Sequence, residues 1–198
     1  MLRNFLMNKR KTVIFGGSFN PIHSGHVALA RLVCDEGLAS EVWFMVSPQN
    51  PHKTVQELAP EEHRLRMVQL AIAGDSRLKA SDFEFSLPRP SYTVNTLAAL
   101  EKAFPDREFV LLIGADNWEK FDKWYKGDEI VARYRIIVYP RGEENIQAQL
   151  PQSVTWLNAP LHNVSSTQVR GMVANGADVS SLVSDEVATY IVENELYK

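Results

Sequence analysis

The chain has 198 residues, of which 45% are hydrophobic and 23% are charged, as is typical of a globular domain with a core and a ligand cleft. Its formal net charge of −3 gives no broad electrostatic reason to bind nucleic acid or an anionic membrane. The single cysteine, Cys34, excludes an intramolecular disulfide and fits a reducing compartment. No apolar run approaches the roughly 20 residues of a membrane-spanning helix. We therefore expect a cytoplasmic protein without nucleic-acid or membrane partners.

Apolar runs alternate with helical patterns along the chain, which predicts an α/β fold with a Rossmann-like, doubly wound parallel sheet. The predicted strands cover 12–16, 41–46, 78–83, 109–113, 135–139 and 154–157. The predicted helices cover 24–37, 60–74, 93–104, 128–134, 166–174 and 185–196. We expect one domain over 12–198, with a small helical C-terminal part at about 160–198. Ligands of such sheets bind beyond the carboxyl ends of the strands.

The stretch Gly16–His26, with the sequence GGSFNPIHSGH, directly follows the first predicted strand. Neither the P-loop pattern nor the dinucleotide fingerprint occurs there. The two initial glycines allow a ligand to approach the backbone closely, and Ser24 is the predicted N-cap of the next helix. His23 and His26 lie at the helix start, where unpaired N–H groups favour phosphate. The stretch predicts nucleotide chemistry in which both imidazoles contact phosphate groups.

Polar groups also follow the second predicted strand and precede a later helix. Asn50, His52 and Lys53 present hydrogen-bond donors in a loop that contains two prolines, although a solvated loop is the more common explanation when the motif is taken alone. Tyr92 and Thr93 stand at a predicted helix start, where N–H groups and hydroxyls suit a small carboxylate. His63 and Arg64, on the predicted helix 60–74, are interpreted as polar residues on the protein surface.

The most apolar predicted strand ends at Ile113 and is followed by Gly114 and Asp116. Gly114 permits close approach by adenine or ribose, and Asp116 can accept hydrogen bonds from ribose hydroxyls. Further along, Trp124 offers a flat face on which a pyridine ring can stack, and Trp118 offers the same.

Three hydroxyl residues, Ser165, Ser166 and Thr167, precede a predicted helix that carries Arg170 one turn in. Hydroxyl caps, free N–H groups and a fixed cation together suit phosphate, and the same residues also describe a well-capped helix. Arg141, shortly after the fifth predicted strand, is a further candidate contact.

These separated motifs together resemble the nucleotidylyltransferases with a His-x-Gly-His loop, and among them the nicotinate-nucleotide adenylyltransferase family. The resemblance covers nearly the whole chain after residue 11. It implies transfer of the AMP part of ATP to nicotinate mononucleotide, with release of pyrophosphate, in NAD biosynthesis. It also implies Mg²⁺, which we expect to be carried on the ATP phosphates, because the sequence shows no dedicated carboxylate cage.

The resemblance assigns a role to each motif and favours Trp124 over Trp118 as the partner of the nicotinate ring. The implied catalytic residues are His23 and His26, with His26 stabilising the transition state. The implied ATP-binding residues are Gly16, Gly17, Ser18, Phe19, Gly25, Ile113, Gly114, Asp116, Ser165, Ser166, Thr167 and Arg170. The implied substrate-binding residues are Asn50, His52, Lys53, Tyr92, Thr93, Trp124 and Arg141.

Other interpretations stay open. The acceptor could be nicotinamide mononucleotide, because only a carboxylate site distinguishes the acid from the amide. Other nucleotidylyltransferases use the same scaffold with different acceptors, but the substrate-loop and tryptophan features argue against phosphopantetheine and glycerol phosphate. A non-catalytic nucleotide sensor is the alternative from another class, and the intact pair His23 and His26 argues against it. The sequence also leaves a homo-oligomer open.

Overall fold

The computed structural model describes residues 9–48, 58–142 and 150–198. Its strands are β1 (Arg10–Gly17), β2 (Glu41–Val46), β3 (Leu78–Ser81), β4 (Arg107–Gly114), β5 (Arg135–Tyr139) and β6 (Val154–Trp156). They form one parallel sheet in the order β3-β2-β1-β4-β5-β6. The predicted doubly wound sheet is therefore confirmed. The strand order reverses between β1 and β4, so the polar segments after these two strands flank the point where such sheets bind ligands.

The helices cover both faces of the sheet. They are α1 (Ser24–Asp35), α2 (Glu61–Ile72), α3 (Thr93–Ala103), α4 (Ala115–Trp118), α5 (Gly127–Arg133), α6 (Ser166–Ala174) and α7 (Asp185–Glu193). The sequence patterns missed α4, because a single turn shows no hydrophobic periodicity. Within the described ranges, none of the helices has the length and apolar character needed to cross a membrane.

Successive residues of the central strand face two separate cores. Val13 and Phe15 of β1 pack in a cluster with apolar residues of α1, α2, α6 and α7. Ile14, between them, belongs to a second cluster with residues of α3 and α5. Because both faces of the sheet are covered, β2 and β4 read as nearly continuous apolar runs in the sequence.

The third strand is shorter than predicted. Strand β3 ends at Ser81, and the chain then forms a 3-10 turn over Phe83–Ser86. The prediction of strand through residue 83 was therefore wrong at its end. The side chain of Phe83 instead packs near Phe104, 6.1 Å between ring centroids, so its apolar character serves the core and not a strand.

A buried carboxylate ties four strands together at the amino end of the sheet. Glu41 of β2 is fully buried and accepts a hydrogen bond from Thr12 Oγ1 at 2.8 Å. It also pairs with Arg107 of β4, with Arg10 Nη2 at 3.1 Å and with Lys79 Nζ at 3.2 Å. This charge cluster lies at the amino ends of the strands. The carboxyl ends, on the opposite side of the sheet, remain available for a ligand site.

Candidate active site

Helix α1 begins with a reciprocal arrangement of its two histidines. His23 is the N-cap, with an extended backbone at φ −140° and ψ 169°, and its main-chain N–H donates to His26 Nδ1 at 3.2 Å. The prediction of Ser24 as the N-cap was wrong by one residue. The extended backbone already ends at His23, and the N–H of Ser24 donates to Leu182 O at 2.8 Å instead. A side chain three residues after the cap thus satisfies the cap's own N–H group.

The two imidazole rings stack on each other. Their centroids are 3.6 Å apart and their planes are inclined by 25°. Because His26 Nδ1 accepts a hydrogen bond, the neutral ring carries its proton on Nε2, where it is a donor. His23 is 5% exposed, and its Nδ1 is buried without a hydrogen-bond partner in the described part of the chain. Both rings therefore keep hydrogen-bonding capacity for a ligand.

Phe19 packs against His26 from the core. Its φ of 44° lies in the left-handed region, which is unusual for a residue other than glycine and marks a strained turn. The buried ring packs against His26 at 5.2 Å, Phe44 at 5.4 Å and Phe15 at 5.6 Å between centroids. Since its side chain lies in the core, a predicted contact of Phe19 with ATP would come from the main chain. The same holds for Ile113, which is 6% exposed.

A cavity of about 290 Å³ opens beside the stacked rings. Its polar lining residues come from three places in the chain: the start of α1, the end of β5 with the segment after it, and the start of α6. They are His23, His26, Tyr139, Arg141, His162, Asn163, Ser165 and Gln168. Two helix N-termini, each able to attract an anion, therefore meet at one cavity that also contains a guanidinium and imidazoles. This combination suits a chain of phosphate groups.

Close packing joins α1 to the segment before α6. Ser166 Oγ donates to Pro21 O at 2.8 Å, which ties α6 to the turn after β1. A Cβ atom at Gly25 would lie 3.0 Å from both His162 Cβ and Val164 Cγ1. The absence of a side chain at this position therefore lets residues 162–164 lie against the first turn of α1.

Burial and neighbouring positive charge keep both imidazoles neutral. Burial lowers the pKa of His23 to about 4, and the charges of Arg141 and His162 act in the same direction. The pKa of His26 is also lowered, by burial first, then by His23 and Arg141. Near pH 7 the free protein therefore presents uncharged imidazoles beside a cationic guanidinium, and an incoming polyanion would favour their protonation.

Among the predicted phosphate ligands at the start of α6, Ser165 lines the cavity and Ser166 does not. The hydroxyl of Ser165 caps α6 by accepting from Gln168 N at 3.1 Å. Arg170 Nη1 donates to Asn20 O at 2.8 Å, and Nη2 approaches Thr167 Oγ1 at 3.4 Å. Neither Arg170 nor Thr167 is among the described residues that line the cavity.

The end of β4 meets the end of β5 at a second polar contact. Asp116 Oδ1 lies 3.5 Å from Arg141 Nε, and both side chains are partly exposed. A Cβ atom at Gly114 would collide with Asp116 Oδ1 and lie 2.9 Å from Arg141 Cγ. Gly114 thus allows both charged side chains to fold over the end of the strand, next to the imidazole cavity.

The start of α3 contacts Tyr125, the residue that follows Trp124. Tyr92, the N-cap of α3, packs on Tyr125, with ring centroids 4.7 Å apart, and both rings are exposed. Thr93 is the first residue of α3. Trp124 and Trp118 make the same kind of contact with Phe121, at 4.9 and 5.1 Å, so the preference for Trp124 stays a prediction.

Other predicted residues either lie outside the described residues or are absent from the described cavity lining. Asn50, His52 and Lys53 lie outside the described residues. At the end of β1, Gly16 is exposed, and a Cβ atom at Gly17 would lie 3.0 Å from Phe19 Cζ. Ser18 follows directly and offers its carbonyl oxygen to Arg64 Nη1 at 2.7 Å.

Some polar residues near this site were not predicted. His162, Asn163 and Gln168 line the cavity and flank the Ser165 motif, a proximity that could have identified them. Arg64 was interpreted as a polar surface residue, which was wrong, because it is 1% exposed. Two of the carbonyl groups that accept from it lie 46 and 17 residues away in the sequence, so no local pattern reveals its burial.

The donors around the cavity suit phosphate oxygens better than a bare metal ion. They are imidazoles, a guanidinium, hydroxyls and amides. Asp116, the nearby carboxylate, is engaged with Arg141. Among residues 9–48, 58–142 and 150–198, no group of three or more histidine, cysteine or acidic side chains could hold a metal. This donor set fits Mg²⁺ only as an ion held largely through substrate phosphates and water.

Comparison with known proteins agrees with this geometry. The cytidylyltransferase-like family matches residues 14–172. A Bacteroides fragilis protein named probable nicotinate-nucleotide adenylyltransferase is 49% identical over 189 residues, covering 94% of both chains. A Bacteroides thetaiotaomicron protein with the same name is 48% identical over 187 residues, covering 94% of this chain and 93% of its own.

A solved structure shares the fold. The Plasmodium falciparum nicotinic acid mononucleotide adenylyltransferase complexed with NaAD superimposes with a TM-score of 0.81 at 21% identity, covering 95% of this chain and 97% of its own. The resemblance seen in the motifs is thus confirmed over most of the chain. The chain belongs to the nicotinate-nucleotide adenylyltransferase family, a group of nucleotidyltransferases within the cytidylyltransferase-like proteins.

Proposed function

We propose that this chain transfers the AMP part of ATP to nicotinate mononucleotide, giving nicotinic acid adenine dinucleotide and pyrophosphate in NAD biosynthesis. The observation that carries the proposal is the single cavity in which His23, His26, Arg141 and Ser165 meet at two helix N-termini. Family membership supports the choice of reaction. The hydrogen-bond donors that line the cavity support its assignment to the triphosphate.

The reaction is a direct displacement at phosphorus. A phosphate oxygen of the mononucleotide forms a bond to the α-phosphorus of ATP, and the bond from that phosphorus to the β-phosphate bridging oxygen breaks. The nucleophile is already ionised near pH 7, so the protein needs no general base. What remains for the protein is to position both substrates and to stabilise the charge that develops on the transferred and departing groups.

The described residues divide this work between them. His26 donates from Nε2 to the phosphate oxygens where negative charge develops, and His23 contacts the triphosphate beside it. Ser165, Gln168 and the N–H groups at the start of α6 receive the departing pyrophosphate, and Arg141 compensates its charge. Ser166, Thr167 and Arg170 keep their predicted assignment to the pyrophosphate. Asn50, His52 and Lys53 keep theirs to the mononucleotide phosphate.

Two further features belong to the proposal. Mg²⁺ bound to the ATP phosphates would neutralise part of their charge, with few ligands from the protein. The reaction would take place in the cytoplasm, as the use of ATP and a single free cysteine, Cys34, favour.

The choice of acceptor tests the function directly. With ATP and Mg²⁺, we expect pyrophosphate release with nicotinate mononucleotide and a kcat/KM at least about tenfold lower with nicotinamide mononucleotide, the range of a lost charge-assisted hydrogen bond. The expected carboxylate partners are Tyr92 and Thr93 at the start of α3. A coupled pyrophosphate assay measures both rates. Equal rates would contradict a preference for the acid, and no release with either acceptor would favour the nucleotide sensor.

Replacement of His26 separates catalysis from helix capping. Gln at this position can still accept from the cap N–H, whereas Ala cannot, so His26→Gln keeps the capping box. Both variants should lower kcat by about 100-fold, as for a lost oxyanion donor, and only His26→Ala should also lose stability. The control is His63→Ala on α2, whose ring contacts Tyr190 and not the cavity. Near-normal turnover in folded His26→Gln would remove the imidazole from the mechanism.

Proton binding by His23 gives a pH test of its burial. Its pKa is lowered to about 4 in the folded protein from about 6.5 in the unfolded chain, so the unfolded state binds more protons between these values. Its stabilising contribution is therefore present above pH 6.5 and is lost as the pH falls. Lowering the pH from 7 to 5 should therefore reduce the free energy of unfolding by about 2 kcal/mol through His23. Urea unfolding should show a loss in the wild type that exceeds the loss in His23→Gln by about this amount, because the lowered pKa of His26 gives both proteins some pH dependence; equal pH dependence of the two proteins would contradict it.

A further inference from the structure

Arg64 of α2 is a buried cation whose partners are main-chain carbonyl groups. It is 1% exposed. Nη1 donates to Ser18 O at 2.7 Å and to Ser47 O at 2.8 Å, Nε donates to Ala59 O at 2.8 Å, and Nη2 approaches Pro48 O at 3.4 Å. Burying a guanidinium costs free energy unless its donors are satisfied, and here a rigid fork of donors meets acceptors in three separate segments.

The acceptors are at functionally related places. Ser18 belongs to the turn between β1 and α1, which leads to His23. Ser47 and Pro48 follow β2, and Ala59 precedes α2. One side chain therefore fixes the turn after β1 relative to the end of β2 and the start of α2.

Asn20 completes the same network from within the turn. It is 1% exposed, and its Oδ1 accepts from Ala59 N at 3.0 Å and from the Tyr197 hydroxyl at 2.9 Å. Burial raises the pKa of Tyr197, so the hydroxyl keeps its proton and donates. Arg170 Nη1 donates to the carbonyl oxygen of Asn20. The turn that carries the catalytic pair is thus held by side chains from α2, α6 and the segment after α7.

We propose that Arg64 and Tyr197 are positioning residues, which act through Ser18 and Asn20 to hold His23 and His26 against the cavity. This inference rests on the proposed adenylyl transfer. Phosphoryl transfer without a covalent intermediate depends on alignment, and displacement of a catalytic group by about 1 Å costs on the order of 100-fold in rate. Loosening the turn therefore lowers kcat as well as stability.

A pair of matched variants isolates the Tyr197 hydroxyl. Tyr197→Phe removes the hydrogen bond to Asn20 and keeps the ring. Tyr190→Phe, the control on α7, removes a hydroxyl contact of the same length, 2.9 Å, with His63 Nδ1. Loss of a neutral hydrogen bond changes an equilibrium or rate constant by about three- to tenfold, so both variants should lose a similar free energy of unfolding in urea. Only Tyr197→Phe should also lower kcat, by about three- to tenfold.

Arg64→Lys tests the guanidinium with the charge retained. An ammonium group cannot reach three separate carbonyl groups in fixed directions, so kcat should fall by about 10- to 100-fold, with a smaller change in the KM for ATP. Arg107→Lys is the control, because Arg107 is a mostly buried arginine of the Glu41 cluster at the opposite edge of the sheet. It should lose stability and keep its kcat at a temperature where the protein is folded.

A readout without substrates separates this inference from the proposed function. In the free protein, histidine NMR signals of His23 and His26 should shift in Tyr197→Phe and Arg64→Lys, and Tyr190→Phe should shift His63 alone. If the wild type makes no dinucleotide, the proposed function fails, while the signals still test the network. If Tyr197→Phe matches Tyr190→Phe in kcat and leaves the signals of His23 and His26 unchanged, the positioning role is overturned.

Discussion

His26 accepts a hydrogen bond from the main-chain N–H of His23 through Nδ1, and the rest of the site follows from the ring orientation that this bond sets. The bond places the remaining donor of the ring on Nε2 and caps α1 with the side chain of His26, and the two imidazoles stack 3.6 Å apart. The ring is supported by Phe19, whose backbone is held in an unusual conformation by packing in the core. The packing of the Phe19 ring in the core thus offsets the strain of its backbone. The Nε2 donor of His26 is therefore oriented before a ligand binds.

The electrostatics of the cavity favour a polyanion that brings its own charge. Burial and the neighbouring Arg141 lower the pKa values of both imidazoles and keep them neutral in the free protein. Neutral rings avoid the free-energy cost of burying a charge and can still donate hydrogen bonds. Two helix N-termini add partial positive charge without a titratable group. A triphosphate entering the cavity would raise both histidine pKa values. The site therefore gains positive charge in response to the ligand, and most strongly where the ligand is most negative.

The sequence predicted the sheet well, because strands buried on both faces appear as apolar runs that need no long-range information. The parallel order and the convergence of motifs at the carboxyl ends followed from topology. The errors have physical reasons. Ser24 was chosen as the cap from residue preference, but the cap position falls at His23, where the backbone stops being extended. The burial of Arg64 was not predicted because it depends on carbonyl groups of Ser18 and Ser47, which are distant in the sequence. The family is confirmed, and the individual roles of the site residues stay predictions.

The triphosphate of ATP is expected in the cavity beside the stacked imidazoles. A crystal structure with Mg²⁺ and a non-hydrolysable ATP analogue would show where it binds. We expect phosphate oxygens within hydrogen-bonding distance of His26 Nε2 and of the Ser165 hydroxyl, with the adenine near Gly114 at the end of β4. A triphosphate bound elsewhere, with the two imidazoles still stacked and free of contact with it, would rule out this cavity as the ATP site.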